Sequence, residues 1–168
     1  MQIEVEKLSR KYCVKKINKE DIPAVYKLCK GNPIYYEYMK MQPTYENLEE
    51  VITELPPGKS LDDKYFIGFW EAEKLVAIMD LIMGFPNDDT AFVGWFMMER
   101  ACQGKEIGSQ IVSDVFAYLK DKGVKYVRLG CIDENQQGEA FWLKNGFLPT
   151  GDVTETEAYR VVVMRREL

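Results

Sequence analysis

Between Thr90 and Gly123 the chain reads TAFVGWFMMERACQGKEIGSQIVSDVFAYLKDKG: an apolar stretch, a turn of small and charged residues, then a second periodic stretch. Gln103, Gly104, Lys105, Glu106, Ile107, Gly108 and Ser109 make up the turn. Small residues that open a helix leave backbone N–H groups without partners, and the helix dipole adds partial positive charge at the same point. Such a point suits the holding of a phosphate or pyrophosphate. A surface turn that binds nothing, its glycines serving only close packing, is the plainer alternative. No Walker string occurs, and Gly104 and Gly108 are the only glycines where a dinucleotide fingerprint needs three.

Other residues able to do chemistry are few. The chain has no histidine, which removes the commonest general base, the commonest partner of a nucleophile and the commonest metal ligand. Cys13, Cys29, Cys102 and Cys131 are scattered without C-x-x-C spacing, so they read as reduced thiols and no metal is expected. Cys131 stands at a strand end, where a small buried residue is a simpler reading than a thiol open to acylation. Asp80 interrupts the apolar run LVAIMDLIM; a carboxylate there is either paired or turned to a polar cleft, where it is a candidate base. Tyr35, Tyr36 and Glu37 lie in an aromatic segment that lines a cationic or aromatic site or else packs as ordinary core. Glu99, on a connector, reads as solvated.

Periodicity supplies the elements that must hold these residues. Ala91 to Met98 is apolar on both alternating sets, as expected of a central strand covered on both faces. Ile107, Ile111, Val112, Val115, Phe116 and Leu119 form one stripe of a helix that Gly123 ends. Upstream, the pattern predicts a strand over 12–17, then a helix capped by Asn18 and stopped by Gly31. A second helix follows Pro43 and Thr44, carries Leu48, Val51, Ile52 and Leu55, and is closed by Pro56, Pro57 and Gly58. A hairpin over 65–70 and 75–83 leads into the central strand. Downstream come a strand over 126–131, a helix over 136–145, a short strand over 147–150 and a last strand over 159–164. The order β-α-α-β-β-β-α-β-α-β-β is read as a single domain over 1–168.

The net charge of −5 argues against nucleic acid or an anionic membrane as partner and favours a cationic one such as an amine. No apolar run has spanning length and MQIEVEKLSR has no apolar signal core, so a cytoplasmic location is expected.

Strand, turn and long helix together resemble motif A of the GNAT superfamily of N-acetyltransferases, with its Arg/Gln-x-x-Gly-x-Gly/Ala pattern. Gln103 and Gly108 match it, and Glu106 stands where the middle glycine is usual. Downstream, Asn135, Gly138, Phe141, Trp142, Lys144, Gly146 and Phe147 resemble the superfamily's Asn-x-x-Ala-x-x-Leu-Tyr-x-Lys-x-Gly-Phe segment. Trp142 takes the place of the tyrosine that in many members protonates the leaving thiolate, and an indole N–H is not a useful acid. Gly94 and Trp95 lie where some members place a glutamate.

The resemblance implies an α/β fold with a mixed, mostly antiparallel sheet flanked by helices, strands four and five splayed around acetyl-CoA. It implies that the backbone of Phe96, Met97 and Met98 pairs with the pantetheine arm and that the N–H groups of Gly104 to Ser109 hold the pyrophosphate. Asn135 would reach the pantetheine amides, with Phe141 and Trp142 beside the cofactor. Tyr35, Tyr36 and Glu37 fall where the acceptor is covered, and Tyr36 and Asp80 are the catalytic candidates. The expected reaction is transfer of an acetyl group from acetyl-CoA to a primary amine of a small molecule or peptide, by direct attack in a ternary complex. The alternative is a catalytically silent acyl-CoA-binding regulatory module on the same fold. Self-association into a homodimer is left open.

Overall fold

A computed structural model describes residues 1–168. Its elements are β1 (Cys13–Lys16), α1 (Ile22–Lys30), α2 (Pro33–Met39), α3 (Tyr45–Val51), β2 (Lys64–Glu71), β3 (Lys74–Met83) and β4 (Thr90–Met98), followed by α4 (Ile107–Asp121), β5 (Tyr126–Ile132), α5 (Gln136–Lys144), β6 (Leu148–Glu155) and β7 (Arg160–Glu167). One seven-stranded sheet has the order β1-β2-β3-β4-β5-β7-β6, and only the β4–β5 contact is parallel. The fold is therefore the mixed, mostly antiparallel sheet with flanking helices that the sequence implies.

Alternation along the strands divides the interior in two. Phe69, Met79, Val93 and Met98 turn towards Ile111, Val115, Phe116 and Leu119 of α4 and Trp142 of α5. Phe66, Ile78 and Met97 turn the other way, into a smaller core with Val25, Leu28 and Cys29 of α1, Tyr36 of α2 and Leu48 of α3. Consecutive residues of β4 thus serve different faces, and this later decides which end of the cleft each one lines.

Three elements depart from the sequence pattern. The aromatic segment expected to join two helices is itself a helix, α2, with Pro33 in its first turn and Lys40 closing it in the left-handed region. Seven residues with one buried side chain, Tyr36, carry no periodic stripe, so the pattern leaves α2 out of the element order, although a short core-packing helix is one reading of the segment. The next helix, α3, starts where expected, with Thr44 and Asn47 capping each other's N–H groups at 3.0 and 3.1 Å, but it ends at Val51, before Leu55. The short strand predicted over 147–150 continues to Glu155 as β6. Every residue of β6 is exposed, and its pairing with β7 slips between Pro149 and Val153. An edge strand held by backbone bonds and by the polar contacts of Thr150 and Asp152 has no apolar alternation to read.

Candidate active site

The site begins with a pairing that stops short. β4 and β5 run in register from Thr90↔Tyr126 to Val93↔Leu129 and then part. A bulge on the other side, between Asp80 and Leu81, leaves Gly94 without an opposite residue at the point of divergence. From there a cleft of about 520 Å³ passes through the sheet, reaching the start of α4 on one side and α2 on the other.

The turn after β4 forms one wall. Gln103, Gly104, Glu106, Gly108 and Ser109 line it, whereas Lys105 points to solvent and Ile107 packs against the larger core. The backbone N–H groups from Gly104 to Ser109 donate to no backbone acceptor within the protein; the first helical bond there comes from Gln110 to the Glu106 carbonyl, at 3.0 Å. This is the concentration of free donors that an anion needs. Gly108 is required for the close approach: a Cβ there would lie 2.5 Å from the Met98 sulfur and 3.2 Å from the Phe141 ring. Glu106 occupies the left-handed region at φ 62°, makes no capping bond, and pairs instead with Lys144 of α5. Gln103 is fixed by two bonds, donating to Asn32 Oδ1 at 2.7 Å and to the Met98 carbonyl at 3.1 Å. The same carbonyl accepts from Asn32 Nδ2 at 2.9 Å, so of the three β4 residues expected to meet a ligand by backbone, Met98 has its oxygen already engaged.

On the α5 side Phe96 stacks on Phe141 with centroids 5.7 Å apart and meets Trp142 at 5.9 Å. Trp142 is buried and also packs on Phe147 at 5.1 Å. Asn135 caps α5, its Oδ1 accepting from the Gly138 N–H at 3.0 Å, which leaves Nδ2 without a protein acceptor at the cleft wall.

The α2 side is built from Trp95, the neighbour of Phe96 on β4. Tyr35 stacks on it at 6.3 Å and Phe66 at 6.1 Å, with interplanar angles of 24° and 18°. Ile34, Tyr38 and Met39 of α2 and Tyr159, from the turn before β7, complete this end. Burial, followed by the neighbouring Tyr159, Cys29 and Cys131, holds the Tyr35 hydroxyl well above the usual phenol range.

The other candidates are placed differently from what the sequence suggested. Tyr36 is turned into the smaller core, its ring edge-on to Tyr35 at 5.3 Å and its hydroxyl raised by burial and by Cys29; it does not line the cleft. Glu37 lies on the exposed face of α2, also off the cleft wall. Asp80 is buried and accepts two bonds from the buried Lys64 ammonium, at 2.8 and 2.9 Å, so of the two roles open to it the structure shows the paired one. Burial nonetheless outweighs that partner and keeps the carboxyl above its ordinary range. Glu99, expected to be solvated, is partly buried and 3.6 Å from Lys74. Cys131 does line the cleft, but burial, then Glu139 and Asp133, push its thiol up to about 11.

Sequence reasoning missed Tyr159, Asn32, Lys64 and the pairing of the motif residue Lys144 with Glu106. Each acquires its place through a contact distant in sequence, and none carries a local signal. Among the four cysteines and the acidic residues no metal-holding cluster forms.

No curated protein matches the sequence. Among solved structures, an acetyltransferase from Salmonella typhimurium that modifies the N-terminal serine of a 50S ribosomal subunit protein superposes with a TM-score of 0.74 at 15% identity, covering 98% of this chain and 99% of that one. An acetyltransferase from Thermus thermophilus gives 0.72 at 19% identity, with 92% and 96% covered. The PaiA N-acetyltransferase of Thermoplasma acidophilum, solved in complex with coenzyme A, gives 0.67 at 18% identity over 92% and 98%. These likenesses establish a shared fold. The sequence itself matches the model of the acetyltransferase (GNAT) family over residues 27–147, which spans β4, the donor-rich turn, α4 and α5; the chain belongs to that family.

Proposed function

We propose that the protein transfers an acetyl group from acetyl-CoA to a primary amine by direct attack within a ternary complex. One observation carries this reading: a single cleft joins six consecutive backbone N–H groups without backbone partners to an aromatic chamber on the opposite face of the sheet, through the gap between β4 and β5. A pyrophosphate fits the first end and an extended arm fits the free β4 edge, which offers ladder bonds without demanding particular side chains. Gly94 to Met97 and the Asn135 Nδ2 would hold that arm; the Met98 carbonyl, already bonded to Asn32 and Gln103, would instead fix the corner where strand gives way to turn.

In the chamber the chain's work is orientation and desolvation. The acceptor amine must be neutral to attack; burial lowers an amine's pKa, and no carboxylate at this end offsets that. Water then suffices to take its proton, and with Asp80 committed to Lys64 no buried base is needed. Tyr35, Tyr38 and Tyr159 carry the hydroxyls of this wall; burial makes the Tyr35 hydroxyl a poor acid, so Tyr38, Tyr159 or a water would return the proton to the departing thiolate. Holding the two reactants in one geometry supplies most of the acceleration.

Calorimetric titration with acetyl-CoA, followed by turnover against an amine panel, tests the reading. Binding with turnover is expected. Binding without turnover identifies the silent acyl-CoA-binding module, which Trp142 in place of an acidic hydroxyl would suit. Absence of binding at millimolar ligand removes both.

A further inference from the structure

We infer that the acceptor is a primary amine whose neighbouring substituent is aromatic or apolar and carries no second positive charge. This rests on the acetyltransferase reading and narrows its substrate. The α2 end of the cleft is formed by Ile34, Tyr35, Tyr38, Met39, Trp95 and Tyr159, without one carboxylate among them. The whole cleft wall carries three charged residues, Arg100, Glu106 and Lys144. Glu106 and Lys144 neutralise each other at the turn, and Arg100, which has no carboxylate partner, lies two residues past the end of β4. Glu37, the acid of α2, faces away from the chamber, and Asp80, beneath Gly94, is occupied by Lys64. The chamber therefore offers flat apolar surface and no anion.

The rings that make it are held rigidly. Phe66, Trp95 and Tyr35 form a near-parallel stack, and Tyr36 locks Tyr35 from behind by an edge contact. A planar or aliphatic substituent slides against such a stack at little entropic cost. The reacting ammonium is tolerated on entry by the ring faces and sheds its proton as it is desolvated. A second ammonium has no such exit: it must remain charged, or lose a second proton, in a chamber where it meets no carboxylate. Polycationic acceptors are disfavoured by the same neutrality that prepares the first amine for attack.

Two matched pairs of acceptors test this with the wild-type protein and saturating acetyl-CoA. The first sets 2-phenylethylamine against 1,4-diaminobutane; the second sets phenylalaninamide against lysinamide, so that the reacting group is an α-amine like that of a peptide. The expected result is a kcat/KM at least about tenfold higher for the aromatic member of each pair, and the faster of the two aromatic members tells whether a small amine or a peptide terminus is the better source. Tyr38→Asp, which brings a carboxylate to the partly exposed α2 wall, should narrow that preference by about tenfold. Equal or faster turnover of diaminobutane and lysinamide overturns the inference while leaving the acetyltransferase reading intact. Acetylation of none of the four amines overturns both.

Discussion

Gln103 and Asn32 are 71 positions apart in sequence, yet the Gln103 amide donates to the Asn32 side-chain oxygen at 2.7 Å. Asn32 also donates to the Leu28 carbonyl at 3.0 Å and to the Met98 carbonyl at 2.9 Å. The end of α1, the end of β4 and the turn before α4 therefore share one small network. Asn32→Ala should lower stability by about 1–3 kcal/mol and raise KM for acetyl-CoA and amine together. A double-mutant cycle with Gln103→Ala should give a coupling of ~0.5–3 kcal/mol in melting experiments; strict additivity would mean that the network is not a unit.

Glu106 combines two handicaps, a left-handed backbone and a carboxylate at the head of the helix proposed to hold pyrophosphate. Its partner Lys144 is an exposed ion pair, worth about 0–1 kcal/mol. Glu106→Gln should tighten acetyl-CoA binding about two- to tenfold at low salt, since it removes the repulsion and frees Lys144, and the gain should fade as salt rises. Glu106→Gly should do the same and in addition raise stability by about 1 kcal/mol through relief of the left-handed strain. Weaker binding by the Gln variant in calorimetry would show that the carboxylate orders the turn.

Lys64 and Asp80 form a buried pair in which burial keeps the Asp80 carboxyl above its ordinary value of 3.8. Lys64→Met should cost about 3–5 kcal/mol near pH 7, because it strands that carboxylate, and adding Asp80→Asn should restore most of the loss. The sign of the pH dependence follows from the raised pKa. The ionised form is penalised in the fold, so the penalty is full above the folded pKa, shrinks as pH falls through it, and is gone below 3.8. Denaturant melts of Lys64→Met between neutral pH and pH 4 should show its deficit narrowing; a widening deficit would rule out a stranded carboxylate as the cause.

Cys131 lines the cleft with a thiol pushed up to about 11. At pH 8 only roughly one thiol in a thousand is then ionised, so iodoacetamide should modify the exposed Cys13 first and Cys131 far more slowly, as peptide mass spectrometry would record. Incubation with acetyl-CoA alone should leave Cys131 unacetylated. An acetyl-cysteine at that position would contradict direct attack.

The segment from Thr90 to Asp121 was legible from sequence because strand, turn and helix each carry their signal within a few residues. Ala91 and Val93 are buried on β4, Gly108 is squeezed between Met98 and Phe141, and Ile111 to Leu119 form the buried stripe. The α2 end of the cleft was less legible. Tyr159 reaches it from the turn after β6, a strand whose residues are all exposed, and Tyr35 and Tyr36 are adjacent tyrosines that nothing local distinguishes, although one lines the cleft and the other fills the core. Asp80 stood out as a charge in an apolar strand, but Lys64, 16 residues earlier at the head of β2, gave no hint of being its buried partner.

The short parallel contact has a mechanical consequence as well as a chemical one. β4 meets β5 over four residue pairs, from Thr90↔Tyr126 to Val93↔Leu129, whereas β3 meets β4, and β5 meets β7, over seven each. The sheet therefore divides into two plates, β1 to β4 and β5 with β7 and β6, joined over four of the nine residues of β4 and backed by α4. Opening is expected to concentrate at that seam, so whichever of the adjacent Arg128 and Leu129 N–H groups points to β4 should exchange with solvent ahead of those at the centre of β3. A long molecule laid across the gap would stiffen this joint, so its binding should slow exchange along the seam more than elsewhere in the sheet.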